Sequence, residues 1–238
     1  MILLRSLLFQ LLFYLLTAVM GVAGLPLLLL PGRWAMRYGT VWSRAVLALL
    51  EAVVGLSFEV RGQNNLPEGA ALIAMKHQSA WDTFAAPVIF AHPVIVMKRE
   101  LGWIPIYGWY VLKAGMIPID RGAGPGALRT MVAAAAPAVA AGRPIIIFPE
   151  GTRTAVGAPP AYQPGVYALY RQLRLPLVPV AVNSGMFWGR RSFFKRPGRI
   201  VVEILPPLAP GGERRAVMAA LETAIETATA RLVAAAGG

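Results

Sequence analysis

Residues 71–84, ALIAMKHQSAWDTF, join a short apolar run to a polar turn and then to the beginning of a second apolar segment. The run from Ala71 to Met75 predicts a buried β-strand, because it is too short for a helix and stops at polar residues. The apolar residues that follow Asp82 predict a helix. His77 and Asp82 are therefore placed where a strand passes into a helix.

The same alternation of short apolar strands and helical segments continues along the chain beyond Gly55. The predicted strands cover residues 58–60, 71–75, 94–97, 116–119, 144–148, 178–182 and 200–204. The predicted helices cover residues 83–90, 107–112, 126–140, 166–171 and 213–236. This pattern is typical of an α/β fold with a mostly parallel, buried sheet flanked by helices. Functional residues of such folds collect at the carboxyl ends of the strands.

The amino-terminal region follows another pattern. Residues 7–30 are almost wholly apolar, and this run exceeds the ~20 residues that cross a hydrocarbon core. Pro26 and Pro31 interrupt it, and a second apolar helix is predicted over residues 41–54. A secretory signal is the competing interpretation, but the apolar run resumes at residues 25–30, which argues against cleavage before them.

We expect two domains from this change of pattern. Residues 1–55 are predicted to form a hydrophobic two-helix membrane anchor, and residues 56–238 to form the α/β domain. The two helices could span the bilayer or lie half-buried in one leaflet. The interrupting prolines favour shallow, one-sided insertion.

The amino-acid composition limits the classes of molecule that we expect the protein to bind. Charged residues make up 14% of the chain and hydrophobic residues 57%, with a mean hydropathy of +0.58, whereas average soluble domains are roughly 25% charged. The net charge of +12 attracts anions such as lipid headgroups and phosphorylated molecules. We expect membrane lipids and no nucleic acid as partners, because a nucleic-acid surface needs a wetted basic face and the usual motifs.

Cysteine is absent from the sequence, and there are only two histidines, at positions 77 and 92. The lack of cysteine excludes disulfides, thiol nucleophiles and cysteine metal sites. Two histidines are also too few to make a multi-histidine metal cluster plausible. His92 lies in a loop before a strand without a carboxylate nearby in sequence, and we expect a solvated or packing role for it.

His77 and Asp82 are the strongest candidates for catalysis. They are five positions apart, which would put them about 140° apart on a regular helix, so they meet only if the chain turns between them. A histidine backed by a carboxylate is the general-base half of a serine-hydrolase triad. The sequence has no Gly-x-Ser-x-Gly elbow, so the attacking hydroxyl should belong to a substrate. The alternative is a capping box formed by Ser79 and Asp82, with His77 a polar strand end.

A second motif, FPEGTRT at residues 148–154, also follows an apolar strand. A glycine-containing loop offers backbone N–H groups, and Arg153 adds a planar guanidinium that fits a phosphate. We expect Glu150 to orient Arg153 or a loop backbone. The alternative is that Glu150 is a solvated loop carboxylate.

A third motif, GMIPIDR at residues 115–121, brings Asp120 and Arg121 to the same predicted edge of the sheet. Arg121 is a candidate for a second phosphate ligand. A buried structural pair between Asp120 and Arg121 is the competing interpretation.

Aromatic and basic residues alternate along residues 187–199. Such a loop suits anionic lipid or the phosphates of an acyl carrier. A plain solvated basic loop is equally compatible with the sequence.

Taken in order, these motifs resemble the 1-acyl-glycerol-3-phosphate acyltransferase family. The matching blocks are His77 with Asp82, residues 98–101 with Pro105 and Gly108, residues 115–121, residues 148–153, and the proline-containing strand 178–180. The resemblance covers about residues 60–207. Lys76 is a departure, since members often carry asparagine before the histidine.

The resemblance implies a glycerolipid acyltransferase fold with His77 as the base and Asp82 as its orienting partner. It implies these substrate-binding residues: Lys98, Arg121, Glu150, Gly151, Thr152 and Arg153. The implied reaction moves a fatty acyl group from acyl-CoA or acyl carrier protein to the sn-2 hydroxyl of lysophosphatidic acid, forming phosphatidic acid without a cofactor or metal. The expected location is the cytoplasmic face of the inner membrane.

Three alternatives remain open from the sequence. The acceptor could be another lysophospholipid, a lyso-aminolipid or glycerol 3-phosphate. A thioester hydrolase would use the same histidine and aspartate with water as the nucleophile. A membrane-surface protein without enzymatic activity would use neither.

Overall fold

The computed structural model of the chain describes residues 1–120 and 124–237. Within them, seven strands form one sheet in the order β1-β7-β6-β2-β5-β3-β4. The strands are β1 (Leu56–Arg61), β2 (Leu72–Met75), β3 (Val94–Lys98), β4 (Ile117–Ile119), β5 (Ile145–Ile147), β6 (Leu177–Val182) and β7 (Gly198–Ile204). Neighbouring strands are parallel except for β6 and β7. The predicted mostly parallel sheet is confirmed, and each predicted strand is present.

Helices cover both faces of this sheet. They are α1 (Ile2–Ala23), α2 (Gly32–Leu49), α3 (Trp81–Ile89), α4 (Tyr107–Lys113), α5 (Gly124–Ala140), α6 (Gly165–Leu173) and α7 (Arg214–Gly237). Side chains alternate along β2, so that Ile73 and Met75 pack with α1, α2 and α3 while Leu72 and Ala74 pack with α5, α6 and α7. The sheet is therefore buried between two helical layers.

The amino-terminal helices differ from their prediction in bounds and character. α1 ends at Ala23, a 3-10 turn covers Leu25–Leu29, and α2 begins at Gly32, directly after Pro31. The prolines set these limits, because proline is compatible with the start of a helix but not with its interior. Among the described residues, α1 alone is long and apolar enough to cross a membrane.

α2 is amphipathic, and the expectation of a second hydrophobic helix is wrong in that respect. Val46 and Leu47 are buried against the core, while Arg33, Arg37 and Arg44 are exposed. Arg33 and Arg37 precede the predicted segment 41–54 and Arg44 lies within it, and all three lie on one exposed side of this longer helix.

Polar side chains fix α1 to the protein while its apolar side faces outward. The contacts are Arg5 to the Val54 carbonyl at 3.3 Å, Ser6 and Gln10 to Lys195 at 3.0 and 2.8 Å, and Thr17 to the Trp42 indole at 3.2 Å. Leu4 and Leu11 on the other side are 72% and 66% exposed. An exposed apolar stripe of this length fits contact with a bilayer. The division of the chain at residue 55 into two domains stays a prediction.

Lys195 shows that the loop at residues 187–199 is only partly a basic surface. Its side chain is buried, and its ammonium group lies 4.9–5.3 Å from the ring centres of Phe9, Trp188 and Phe193. The ammonium group donates hydrogen bonds to Gln10 and to the Phe193 carbonyl. Burial lowers the pKa of Lys195 to about 8. The solvated-loop interpretation is therefore wrong for this residue.

Candidate active site

The Asp82 side chain accepts hydrogen bonds from the loop that joins β2 to α3. Asp82 lies in the first turn of α3, and its Oδ2 accepts hydrogen bonds from the backbone N–H groups of Gln78 and Ser79, both at 2.8 Å. A carboxylate is favourable at this end of a helix, where backbone N–H groups lack partners. These local contacts hold Asp82 beneath the loop that carries His77.

His77 and Asp82 meet as the sequence predicts. His77 Nδ1 lies 2.9 Å from Asp82 Oδ2, and Ser184 donates its hydroxyl to Asp82 Oδ1. The carboxylate thus accepts from four donors and is fully buried. Because Asp82 acts as the acceptor, the proton of the imidazole belongs on Nδ1, and Nε2 is left as the free acceptor of the ring.

The capping box expected from Ser79 and Asp82 forms only in part, because Ala80 rather than Ser79 is the N-cap of α3. The Ser79 hydroxyl accepts the Trp81 N–H at 3.1 Å, while Asp82 accepts the Ser79 N–H. One carboxylate therefore stabilises the start of α3 and contacts His77 at the same time.

The loop after β5 lies directly against His77, because β2 and β5 are parallel neighbours. The Phe148 ring stacks on the imidazole with a centroid distance of 4.0 Å. The His77 carbonyl accepts both the N–H and the hydroxyl of Thr154, at 2.8 and 3.2 Å. Gly151 allows the loop to turn, since its φ of +66° is one that other residues rarely adopt. The first and second motifs thus form one site.

Glu150 belongs to a buried polar cluster. Its Oε1 lies 3.0 Å from the ammonium group of Lys76, which also contacts Glu226 at 2.6 Å. Tyr162 donates to the same Glu226 oxygen at 2.9 Å. Burial raises the pKa of Glu150, and Lys76 offsets only part of this effect. The solvated-carboxylate interpretation is wrong, and the ionic partner of Glu150 is Lys76 rather than Arg153.

Only some of the predicted phosphate ligands lie among the described residues. Thr152 and Arg153 are exposed on the same loop, and Arg153 makes no hydrogen bond or ion pair with the described residues. Arg121 lies outside the described residues. Contact of these residues with a headgroup therefore stays a prediction.

Lys98 ends β3 and is exposed, with its ammonium group 3.2 Å from Glu100. Asp120 pairs with Arg99 at 2.6 Å, and its side chain is 34% exposed. The other partner suggested for Asp120, Arg121, lies outside the described residues, so their pairing stays a prediction.

Three residues of the site were not identified from the sequence. Ser184 follows β6, a parallel neighbour of β2, and its position at a strand end was an available signal. Lys76 was noted only as a departure from the family pattern. Glu226 lies on α7, and no sequence feature connects it with Lys76. The described residues contain no group of three histidine, aspartate or glutamate side chains arranged for a metal ion.

Comparison with known sequences gives a consistent picture. A family model described as Acyltransferase matches residues 57–183. The 1-acyl-sn-glycerol-3-phosphate acyltransferase of Pseudomonas aeruginosa is 36% identical over 185 residues, which cover 78% of this chain and 72% of that protein. The enzyme of the same name from Limnanthes alba is 31% identical over 76% of this chain and 65% of its own length.

A solved structure has the same fold. The crystal structure of the 1-acyl-sn-glycerophosphate (LPA) acyltransferase PlsC from Thermotoga maritima matches with a TM-score of 0.80 at 20% identity, covering 98% of both chains. This similarity extends over the amino-terminal helices as well as the sheet.

Proposed function

The chain belongs to the acyltransferase family, and from this premise we propose that it transfers a fatty acyl group from a thioester carrier to the sn-2 hydroxyl of 1-acyl-glycerol-3-phosphate. The product would be phosphatidic acid. The observation that carries the proposal is the hydrogen bond between His77 Nδ1 and the buried Asp82 carboxylate. The names of the relatives support this choice of acceptor.

In the proposed reaction, His77 Nε2 takes the proton of the acceptor hydroxyl as its oxygen attacks the thioester carbonyl carbon. The C–S bond then breaks, and the imidazolium gives its proton to the leaving sulfur. The products are the new ester and the free carrier thiol. General-base catalysis of this kind contributes ~10² to 10⁴ in rate, and Asp82 would stabilise the imidazolium that forms.

The acceptor's phosphate is proposed to bind at the loop after β5. Arg153 offers an exposed guanidinium free of ion pairs with the described residues. Arg121, Thr152 and Lys98 are further proposed ligands. The contacts of Glu150 with Lys76 and Thr154 favour a role in holding this loop in place.

We also propose a location for the reaction. The exposed apolar side of α1 supports attachment to a membrane, from which a lysolipid would enter. Acyl-CoA or acyl carrier protein would arrive from water, as a co-substrate rather than a cofactor. We propose that the active site lies on the cytoplasmic face of the inner membrane.

A transfer assay with purified protein tests the proposal. Radiolabelled acyl-CoA and acyl carrier protein are offered with lysophosphatidic acid, other lysolipids and monoacylglycerol. His77→Asn should lower kcat by ~10² to 10⁴. His92→Asn is the matched control, because His92 is exposed and asparagine tolerates its φ of +52°.

Each outcome has a distinct meaning. Full activity of the His77→Asn variant would show that His77 is not the general base. Equal use of monoacylglycerol and lysophosphatidic acid would contradict phosphate recognition. Release of free fatty acid without any acceptor would instead indicate a thioester hydrolase.

A further inference from the structure

A cavity lined in part by basic residues lies away from His77. It has a volume of about 250 Å³. It lies between the first turn of α2, the end of α4 and Arg143, the residue before Pro144. Arg33, Lys113 and Arg143 line it, together with Gly32 and Gly115. Its lining includes three basic side chains and no acidic one.

The cavity lies at the opposite edge of the sheet from the catalytic pair. Gly115 and Arg143 precede β4 and β5, whereas His77 and Glu150 follow β2 and β5. Strands β2, β3, β4 and β5 are parallel, so residues before and after them lie at different edges. At ~3.3 Å per residue, the three residues of β5 alone separate the two edges by about 10 Å. The cavity is therefore a separate site.

The basic groups in the cavity lack counter-charges. The Arg143 guanidinium donates to the carbonyls of His92, Pro93 and Ala114 at 2.9–3.4 Å, and burial lowers its pKa. Arg33 and Lys113 are exposed, and neither they nor Arg143 pairs with a carboxylate among the described residues. Three cationic residues around one cavity, without a carboxylate partner among the described residues, attract an anion.

Backbone geometry adds donors to the same cavity. Gly32 and Arg33 are the first residues of the 18-residue helix α2, whose first N–H groups have no intrahelical partner. A Cβ at Gly32 would lie 2.3 Å from the Lys113 carbonyl oxygen. Glycine therefore allows the start of α2 to approach the end of α4 closely enough to form the cavity wall.

The surroundings of the cavity point to a lipid as the source of the anion. Leu29 and Leu30, just before α2, are 89% and 41% exposed, and Trp34 is 40% exposed. The Arg37 guanidinium lies 5.7 Å from the centre of the Trp34 ring. Exposed apolar residues beside tryptophan and arginine are typical of the membrane interface.

We propose that this cavity binds the phosphate of an anionic membrane phospholipid, at a second lipid site distinct from the catalytic one. Arg33, Lys113 and Arg143 supply the positive charge, and the first N–H groups of α2 supply hydrogen bonds. The bound lipid fixes the start of α2 at the membrane interface. This site does not depend on acyl transfer.

Hydrogen exchange in nanodiscs tests the proposal directly. The full chain carrying His77→Asn, which excludes turnover, is placed in phosphatidylcholine nanodiscs with or without phosphatidylglycerol. Backbone amides in peptides covering residues 30–36 and 112–116 should exchange about tenfold more slowly with phosphatidylglycerol. This slowing corresponds to a site that is occupied in roughly ten of every eleven molecules. Arg33→Gln with Lys113→Gln should abolish the difference.

The matched control is Arg129→Gln with Arg171→Gln, which removes two exposed charges from α5 and α6 on the other face of the sheet. This control should keep the protection. Equal exchange in both nanodiscs, or loss of protection in the control as well, would overturn the site. Equal protection by inorganic phosphate in neutral detergent micelles would overturn the lipid as its ligand. An unchanged Tm of the Arg33 and Lys113 double variant shows that loss of protection is not unfolding.

Discussion

Asp82 and Glu150 are both buried carboxylates at the carboxyl edge of the sheet, yet their surroundings differ. Asp82 receives hydrogen bonds on both oxygens, from two backbone N–H groups, His77 and Ser184. Glu150 is paired with Lys76 through Oε1, whereas its Oε2 is buried without a hydrogen-bond partner among the described residues.

The difference in surroundings suggests different structural roles for the two buried carboxylates. Burial of a carboxylate is costly unless hydrogen bonds or a cation replace water. The donors around Asp82 fix the direction of the carboxylate, which suits the orientation of an imidazole. The cation beside Glu150 offsets charge without satisfying both oxygens, which suits the attachment of a loop.

The largest expected effect comes from Asp82→Asn. The amide has only one acceptor oxygen for the donors that now share the carboxylate, and its N–H₂ group would favour the wrong tautomer of His77. We expect kcat to fall by ~10² to 10⁴, as for His77→Asn, because Asp82 acts through that histidine. Steady-state kinetics with lysophosphatidic acid measure this. A loss below tenfold would show that Asp82 does not orient the base.

Lys76→Met should have the next largest effect, on stability. It leaves Glu150 and Glu226 without their shared cation, and breaking a buried pair costs ~3–5 kcal/mol of unfolding free energy. Denaturant unfolding in detergent measures the change. Lys98→Met is the control at an exposed ion pair, with an expected change below ~1 kcal/mol. Similar losses in both variants would contradict the role of burial.

Ser184→Ala removes one of the four donors to Asp82. A buried hydrogen bond to a charged group is worth ~1.5–3 kcal/mol, and part of its loss should appear as an approximately tenfold decrease in kcat with little change in KM. Ser192→Ala, in the loop before β7, is the control. An effect on KM alone would place Ser184 in substrate binding instead.

Glu150→Gln should give the smallest effect, visible in its pH dependence. The pKa of Glu150 is raised above 4.5 by burial, so ionisation destabilises the folded wild-type protein as pH rises through this range. Glutamine does not ionise, and the unfolding free energy of the variant relative to wild type should therefore increase from pH 4 to pH 7. Unfolding curves at several pH values measure this. A difference that falls with pH would contradict the raised pKa.

Much of the fold could be predicted because its signals are local. The strands are short apolar runs with polar ends, and the parallel pairing of β2, β3, β4, β5 and β6 brings the carboxyl ends of these five strands to one edge. The contact between His77 and Asp82 was predictable for the same reason, since the two residues flank one strand-to-helix turn. The bounds of α1 and α2 were less predictable, because the apolar residues of α1 face outward and those of α2 face the core.

The sequence by itself determined the α/β fold and the contact between His77 and Asp82, which are five positions apart. Tertiary structure alone decided that Lys76 meets Glu226, 150 positions away, that Ser184 supports Asp82 across 102 positions, and that Lys195 is buried. These contacts depend on which helices and strands become neighbours. That choice follows from packing of the whole core rather than from any local pattern of residues.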